Sequence, residues 1–388
     1  MALRIATHAS LFAIASMAFA AGCMTGDGTQ SRTDLGTGSS GSDNPDASRV
    51  IRTVSVTNLT ADQPGVAPNV ALSMVNAWGV APFDGMFWIA DNATGKVSIF
   101  DGNGVPATGT LASGAIDLGV GITGIAVTGV AAGAAAFPIH VAQTSAPAQL
   151  IFASETGKLF GVNPDLSTTG GFVVVDRSSV GAIYKGVAVV QCSSGPLILA
   201  ADFHNARIDV FDANFGLVTD LSFESRWPMP AGFAPFNVMT FDNTVYVTYA
   251  KQDANREDDV PGPGLGFVAA FDVSGKPLGT ARGAAFNAPW GMALASDGPF
   301  PNALLVGNFG DGHITAIERA APAIDTSAMK VRGQLVDGSG VPIAIDGLWG
   351  LSFGAAVTNA SRDGLFFAAG PDDEAHGVFG VITPAPVH

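Results

Sequence analysis

A chain of 388 residues, with 47% hydrophobic and 13% charged residues, is long and apolar enough to bury a large core. Its 49 glycines and 23 prolines, without a Gly-X-Y repeat, exclude collagen and a long helical bundle and favour short strands joined by tight turns. The formal net charge of −15 excludes nucleic acid as a partner, because binding to phosphate backbones needs clustered cations.

Residues 1–22 have the pattern of a lipoprotein signal peptide. Arg4 precedes a short apolar stretch from Leu11 to Ala21, and small residues lead directly into Cys23. In a lipobox this cysteine is diacylated and becomes the mature N-terminus. Ala20 stands where a leucine is usual, which leaves ordinary secretion as the alternative. We expect export to the bacterial cell envelope, at the outer membrane, in the periplasm or on the cell surface, with the lipid as the chain's membrane contact.

Residues 23–49 are rich in Gly, Ser, Thr and Asp and contain few large apolar side chains. Such a segment cannot bury enough apolar surface to fold alone, so it is predicted to be a flexible tether. Residues 50–388 form the predicted folded domain. Their apolar runs are short and are broken by Gly, Pro or Asp, which is not the pattern of a membrane-spanning helix.

From Val50 onward the chain repeats one unit: a glycine with a short apolar strand, a second apolar strand, a turn, and a third strand. The clearest copy starts at Trp78-Gly79-Val80-Ala81, continues through FWIAD to Asp91, and ends with KVSIFD at Asp101. The other copies vary this theme, and the fourth carries a long insertion. The six copies begin near residues 79, 124, 186, 237, 291 and 350.

This period predicts an all-β domain, a six-bladed β-propeller with four strands in each blade. A solenoid coil would need a much shorter repeat. The segment around Val54 forms a strand before the first copy, whereas the last copy stops after its third strand. We therefore expect the N-terminal strand to complete the last blade, which leaves no open sheet edge between the first and last blades. Alternation in this strand slips out of step at Leu59.

The repeat resembles that of NHL-type β-propellers, whose unit has an apolar strand ending in Ala-Asp, a turn, and Val-x-Phe-Asp. Longer segments, including VTNLTADQPG, AADFHNARIDVFDANF, YVTYAKQDANREDDVPGPGLGFV and AGPDDEAHGVFG, resemble an uncharacterised family of bacterial secreted proteins, some of which carry PEP-CTERM sorting signals. The resemblance covers nearly the whole domain. It implies the fold and an exported location, but no activity.

In a four-stranded blade, the segment before the first strand and the turn between the second and third strands share one face. Polar and aromatic residues concentrate in these segments, so a ligand site is predicted there. The candidate ligand-binding residues are Trp78, Asp91, Asn92, Lys185, Asp202, His204, Asn237, Trp290, Asn308 and Trp349. Each has a structural alternative: the Asp and Asn residues also form turns, and the tryptophans also pack between blades.

Two turns are longer than the repeat requires. The fourth contains KQDANREDDVPGPGLG and the sixth contains PDDEAHG. Their oxygen-rich side chains would suit a divalent cation such as Ca²⁺, although they lack the spacing of a known metal motif, and a solvated or ion-paired loop is the alternative. The candidate metal ligands are Asp253, Asp258, Asp259, Asp372, Asp373, Glu374 and His376.

These features support two main hypotheses about function. The first is a binding module that uses the polar face for a small ligand, a sugar or an envelope protein. The second is a metal-assisted hydrolase or lactonase with acidic loop residues at the channel mouth. A purely structural surface protein is a third reading. We expect a monomer, and the motifs give no indication of an organic cofactor.

Overall fold

The computed structural model describes residues 53–131, 133–224, 229–320 and 327–385. The Cys23 lipidation site, the signal peptide and the tether lie outside the described residues. The described chain forms six sheets arranged as the blades of a propeller, which confirms the predicted fold; all strand pairs in them are antiparallel except one at the outer edge of each of two blades. Six hydrophobic clusters each lie between two neighbouring blades, and a seventh lies on the axis.

The first three blades contain strands β3 to β15. Blade 1 is β3 (Ala77–Phe83), β4 (Met86–Asp91) and β5 (Lys96–Phe100). Blade 2 is β6 (Ile122–Val127), β9 (Leu150–Ser154), β10 (Lys158–Val162) and β11 (Phe172–Asp176), with a separate hairpin of β7 (Pro138–Val141) and β8 (Thr144–Pro147). Blade 3 is β12 (Tyr184–Cys192), β13 (Gly195–Asp202), β14 (Arg207–Phe211) and β15 (Leu217–Val218). Two short 3₁₀ helices span Gly109–Leu111 and Ser178–Val180.

The remaining blades contain β16 to β27 together with the first two strands. Blade 4 is β16 (Phe233–Phe241), β17 (Thr244–Lys251), β18 (Gly266–Asp272) and β19 (Pro277–Arg282), extended by β23 (Ser327–Ala328). Blade 5 is β20 (Pro289–Leu294), β21 (Ala303–Asn308), β22 (Ile314–Glu318) and β24 (Val331–Gln334). Blade 6 is β25 (Leu348–Phe353), β26 (Leu365–Ala369) and β27 (Val378–Pro384), completed by β1 (Val54–Ala61) and β2 (Asn69–Val70).

The N-terminal strand closes the ring as predicted. Strand β1 pairs antiparallel with β27 from Val54 opposite Pro384 to Ala61 opposite Val378. The register of this pair shifts between Asn58 and Thr60, so the break in alternation at Leu59 is a β-bulge. Closure therefore joins residues from the two ends of the described chain.

Blades 4 and 6 have five strands instead of the predicted four, and blade 1 differs in the opposite direction. Its sheet has three strands, and the chain that follows makes isolated bridges, Phe100 to Pro106 and Lys96 to Asp117, within the described range 53–131. The segment between these bridges contains Pro106 and several glycines. Proline cannot donate to a ladder and glycine weakens a strand, so the outer edge of this blade pairs only at single positions.

The innermost strands approach one another closely around the axis, and glycine makes this possible. A Cβ on Gly79 would lie 2.6 Å from the carbonyl oxygen of Thr123 in blade 2. A Cβ on Gly124 would lie 2.9 Å from the Cα of Gly186 in blade 3. In the five blades that have it, the repeated glycine is therefore required by this close approach, because a side chain would push neighbouring blades apart.

No helix in the described part of the chain is long and apolar enough to span a membrane.

The close approach gives a test of the ring. Gly79→Ala should lower the free energy of unfolding by about 1–3 kcal/mol, because the new methyl group overlaps a backbone atom that cannot rotate away. Gly338→Ala is the matched control, since its Cβ would meet no atom within 4 Å. Urea denaturation should show the control unchanged or more stable by up to about 1 kcal/mol. Equal stabilities of the two variants would contradict the packing argument.

Candidate functional site

In each blade, the segment before the inner strand meets the second turn, which joins the second and third strands. Both lie on the same face of the propeller. Backbone hydrogen bonds join them: Asn92 N donates to Asn76 O at 2.9 Å in blade 1, and Phe203 N donates to the Ile183 carbonyl at 2.9 Å in blade 3. Equivalent bonds occur in blades 2, 4, 5 and 6. We call the axial opening on this face the mouth.

Every inner strand has an irregular register at the residue or residues that face the axis. The shift falls between Tyr184 and Gly186 in blade 3, for example, and similar shifts occur in the other five blades. A bulge re-aims a side chain, and here it marks the position just before the repeated glycine. The six residues at this position are Trp78, Thr123, Lys185, Phe236, Trp290 and Trp349, and all are buried.

The three tryptophans of this ring form the floor of the mouth. Trp78 stacks on Trp349 with ring centroids 3.7 Å apart, and Trp290 meets both rings edge-on at 5.9 and 5.7 Å. Their indole N–H groups are used internally: those of Trp78 and Trp349 donate to Asn76 Oδ1, and that of Trp290 donates to the Lys185 carbonyl. Packed against each other, the rings leave little surface for a ligand to stack on.

Lys185 is the charged member of the ring. Its side chain is 2% exposed, and its ammonium donates to Glu155 and, at 2.9 Å, to Asp258 Oδ1. The Nζ atom also lies over the rings of Trp78 at 5.4 Å and Phe203 at 6.0 Å. Burial lowers the pKa of Lys185, but the two carboxylates raise it more, so the ammonium stays charged.

Four carboxyl groups interact with this ammonium, two by direct contact and two through their charge, and they come from three blades. Glu155 belongs to the second turn of blade 2, Asp258 and Asp259 to the long loop of blade 4, and Glu374 to the turn of blade 6. Two blade 1 amides hold two of them: Asn92 Nδ2 donates to Glu155 Oε2 at 2.9 Å, and Asn76 Nδ2 donates to Glu374 Oε1 at 3.0 Å. We call Lys185 and these four carboxyl groups the mouth cluster.

Asp259 is the least satisfied member of the mouth cluster. Its Oδ2 atom is buried and has no hydrogen-bond partner among the described residues. Burial raises the pKa of Asp259 to about 7, Lys185 acts in the opposite direction, and Asp258 and Glu374 raise it further. Burial also raises the pKa of Glu374, against the effect of its bond from Asn76. A ligand that donates a hydrogen bond or brings a positive charge would therefore stabilise the ionised form of these carboxyl groups.

The long loop of blade 4 has its own internal structure. Asp253 N donates to Asp258 O at 2.8 Å, and the Asp253 carboxylate accepts the Glu257 N–H at 2.9 Å. Gln252 Nε2 donates to the Phe203 carbonyl at 2.6 Å, which ties the loop to blade 3. Asp253 is thus a turn-forming residue, and the loop it shapes positions Asp258 and Asp259 at the mouth.

The blade 6 turn is strained. Asp372, Asp373 and Glu374 are three consecutive residues with φ of 60°, 51° and 65°. Left-handed backbone costs a non-glycine residue about 1–3 kcal/mol, so the surrounding bonds must hold it. Asp372 N donates to Asp346 Oδ2 at 2.9 Å, and Glu374 N donates to Gly370 O at 3.2 Å. The turn directs Glu374 into the mouth.

The predicted metal ligands are not brought together as one set. His376 Nδ1 lies 2.9 Å from Asp62 Oδ2 at the ring closure, and its Nε2 lies 3.9 Å from the exposed Asp372. The Asp253 carboxylate accepts a hydrogen bond from the backbone of its own loop. Within the described ranges, no group of three or more His, Cys, Asp or Glu side chains could hold a metal ion.

Other ligand-binding candidates lie at the ends of second strands, beneath the mouth. Asp91 is fully buried, accepts the Ser98 hydroxyl at 2.7 Å, and has a pKa raised well above its usual range by burial. Asp202 accepts bonds from Asn205, and Asn308 donates to Asp311 Oδ1 at 3.0 Å. The contacts of Asp202 and Asn308 are those that the turn-forming alternative predicts, whereas Asp91 accepts a bond from the neighbouring strand.

Two candidates remain. Asn237 occupies the glycine position of blade 4, and its Nδ2 donates to the Trp290 carbonyl at 2.9 Å. His204 lies in the blade 3 turn beside Gly181, with Nδ1 buried and without a hydrogen-bond partner in the described part of the chain.

Glu155 and Asn76 were not among the candidates, yet both contact the site directly. Glu155 lies in the turn of the weakest repeat, and Asn76 lies two residues before Trp78. Aligning the six repeats identifies both as mouth positions, but no residue pattern shows that they contact Lys185 and Glu374.

The sequence relatives found for the chain are viral proteins. No protein-family model matches it. Two uncharacterised proteins of Acanthamoeba polyphaga mimivirus are each 28% identical over 344 residues, covering 86% of this chain and 87% and 81% of their own length. A third mimivirus protein is 30% identical over 223 residues, 56% of this chain and 40% of its own length. These relatives do not support the predicted membership of a bacterial secreted family.

Solved structures that match the chain are propellers of varied activity. Virginiamycin B lyase from Staphylococcus aureus has a TM-score of 0.45 at 11% identity, covering 86% of this chain and 99% of that one. A glucose dehydrogenase has a TM-score of 0.47 at 11% identity, with 86% and 100% covered. An auxiliary nutrient binding protein from Bacteroides thetaiotaomicron has a TM-score of 0.49 at 8% identity, with 85% and 76% covered.

The raised pKa of Asp259 predicts a pH-dependent stability. Its folded-state pKa of about 7 lies above the unfolded value of about 3.9, so the folded chain keeps a proton that the unfolded chain has lost. Stability should therefore fall as the pH rises between these values. Asp259→Asn removes this titration. Between pH 5 and pH 8, the free energy of unfolding of the variant should therefore rise by about 1–2 kcal/mol relative to that of the wild type, allowing for partial solvent exposure.

Urea denaturation at both pH values measures this difference. Glu257→Gln is the matched control, because it removes an exposed carboxylate from the same loop. The control should follow the wild type at both pH values. Parallel pH profiles for Asp259→Asn and the wild type would show that Asp259 titrates normally.

Proposed function

We propose that the chain is a binding module whose site is the mouth cluster. The observation that carries this proposal is the buried, unpartnered Oδ2 of Asp259 beside a buried ammonium. Leaving a buried acceptor without a bond costs about 1–3 kcal/mol, and a ligand donor would recover that cost. The long blade 4 loop and the strained blade 6 turn, which position Asp259 and Glu374, exceed what the propeller itself requires.

The charges of the site favour a ligand with several hydrogen-bond donors. Four carboxyl groups share one ammonium, and this ammonium, of Lys185, already donates to Glu155 and Asp258. Further anions would be repelled, whereas an amine would find carboxylates that lack a counter-charge. A neutral sugar can also donate hydroxyl groups, but it gains no charge attraction. We therefore infer a small amine as the preferred ligand class.

The hydrolase alternative requires a set of metal ligands. The side chains in the described ranges do not supply one, whereas the mouth cluster has the features of a binding site. Binding is accordingly the function that we propose.

Calorimetric titration with 1,4-diaminobutane, glucose and inositol tests this proposal. The diamine should bind the wild type, and more tightly at pH 8 than at pH 6, because binding favours ionised Asp259. Asp259→Asn should weaken binding by at least about tenfold, as expected for a lost hydrogen bond to a charged group. Glu257→Gln should change it by less than about twofold. Absence of binding by all three probes, or equal effects of the two variants, would refute the proposed site.

We also propose that the chain is exported and anchored through Cys23. The support is the sequence pattern of a charged residue, an apolar stretch and small residues before this cysteine. Expression of the full chain in a Gram-negative bacterium with labelled palmitate should give a membrane-associated, labelled product. Cys23→Ala should abolish the label and leave an unprocessed precursor. A labelled Cys23→Ala product, or an unlabelled wild-type product, would contradict the anchor.

A further inference from the structure

A second concave site lies away from the mouth, between blades 3 and 4. This cleft has a volume of about 500 Å³, which falls in the range of small-molecule pockets. It is lined by residues 206–210, 217–219 and 221–224, and by Met229, Pro235 and Tyr249, with Arg177 at one end. We call it the blade 3–4 cleft.

One end of the blade 3–4 cleft is a hydrogen-bond network around Asp209. Asp209 is 4% exposed; its carboxylate accepts the Tyr184 hydroxyl at 2.8 Å and the Arg207 Nε–H at 2.6 Å. Arg177 Nε is buried without a hydrogen-bond partner in the described ranges, and lies 3.9 Å from Asp209 Oδ2. A guanidinium has five N–H donors, so this end has more donors than its carboxylate can accept.

The spare hydrogen-bond donors at this end favour an anion. Both carboxylates beside the two arginines already accept other bonds: Asp202 accepts two from Asn205, and Asp209 accepts one from Tyr184. The guanidinium groups therefore keep N–H donors that an anionic ligand could accept. Glu224, the other carboxylate of the lining, is exposed to solvent. Paired guanidinium groups bind carboxylate, sulfonate or phosphate oxygens in bidentate geometry.

The rest of the cleft is apolar. Val210, Phe223 and Tyr249 are buried, while Leu221 and Met229 are partly buried and pack against the same hydrophobic cluster. An apolar ligand body would lie against the partly buried Leu221 and Met229 and would remove their apolar surface from water.

We propose that the blade 3–4 cleft binds an amphiphilic organic acid, with its anionic group on Arg177 and Arg207 and its apolar body against Leu221 and Met229. The site is separate from the mouth and does not depend on the function proposed there. Residues 225–228, which connect two lining residues, lie outside the described part of the chain and form no part of the site.

Fluorescence titration with 8-anilinonaphthalene-1-sulfonate tests this proposal on the folded protein. The wild type should bind one equivalent saturably, and decanoate should displace it. Arg177→Gln should weaken binding at least about tenfold, as for a lost charge-assisted bond. Leu221→Trp should block binding by filling the apolar part. Circular dichroism and thermal denaturation confirm that each variant is folded.

Two controls separate this site from others. Arg332→Gln removes an exposed arginine from blade 5 and should alter the affinity by less than about twofold. Asp259→Asn should leave dye binding unchanged, so a failure at the mouth does not affect this result. Absence of saturable binding, including the case in which segment 225–228 fills the cleft, overturns the proposal. Wild-type affinity in both Arg177→Gln and Leu221→Trp overturns it as well.

Discussion

The close approach of six inner strands around one axis is the constraint on which the rest of the structure depends. Glycines such as Gly79 and Gly124 allow backbones of neighbouring blades to come within van der Waals contact. The register shift beside each glycine turns the preceding side chain toward the axis. Six side chains thereby meet in a small volume. Each polar group there must find a hydrogen-bond partner among its neighbours or remain buried without one.

That ring determines the electrostatics of the mouth. Three tryptophans and a phenylalanine give it an apolar floor, and Lys185 places a charge inside it. A buried ammonium needs paired carboxylates, which Glu155 and Asp258 supply. The additional carboxyl groups of Asp259 and Glu374 are then held close to other acids, and this proximity, together with burial, raises their pKa values. The same crowding that destabilises ionised Asp259 would stabilise a bound cation.

Much of the fold could be predicted because the repeat is local. An alternating strand and a turn recur along the copies. The last copy ends after its third strand, and the N-terminal strand supplies the strand that blade 6 lacks. The sequence also showed the break in alternation at Leu59, and the structure showed that this break is a β-bulge. Blade 1 departed from four strands because Pro106 and its neighbouring glycines are poor ladder formers, a local signal that the average repeat obscured. The bacterial family resemblance was not supported, since the relatives found are viral.

The sequence by itself determined the six blades, the ring closure and the face on which polar residues gather, because these depend on short-range periodicity and on counting strands. It also indicated Lys185, Asp258, Asp259 and Glu374, but as members of two separate sites. Only the tertiary structure joined them with Glu155 and Asn76 and separated His376, which pairs with Asp62 instead. The physical reason is that burial and charge pairing arise between blades, where residues far apart in the chain share one desolvated volume.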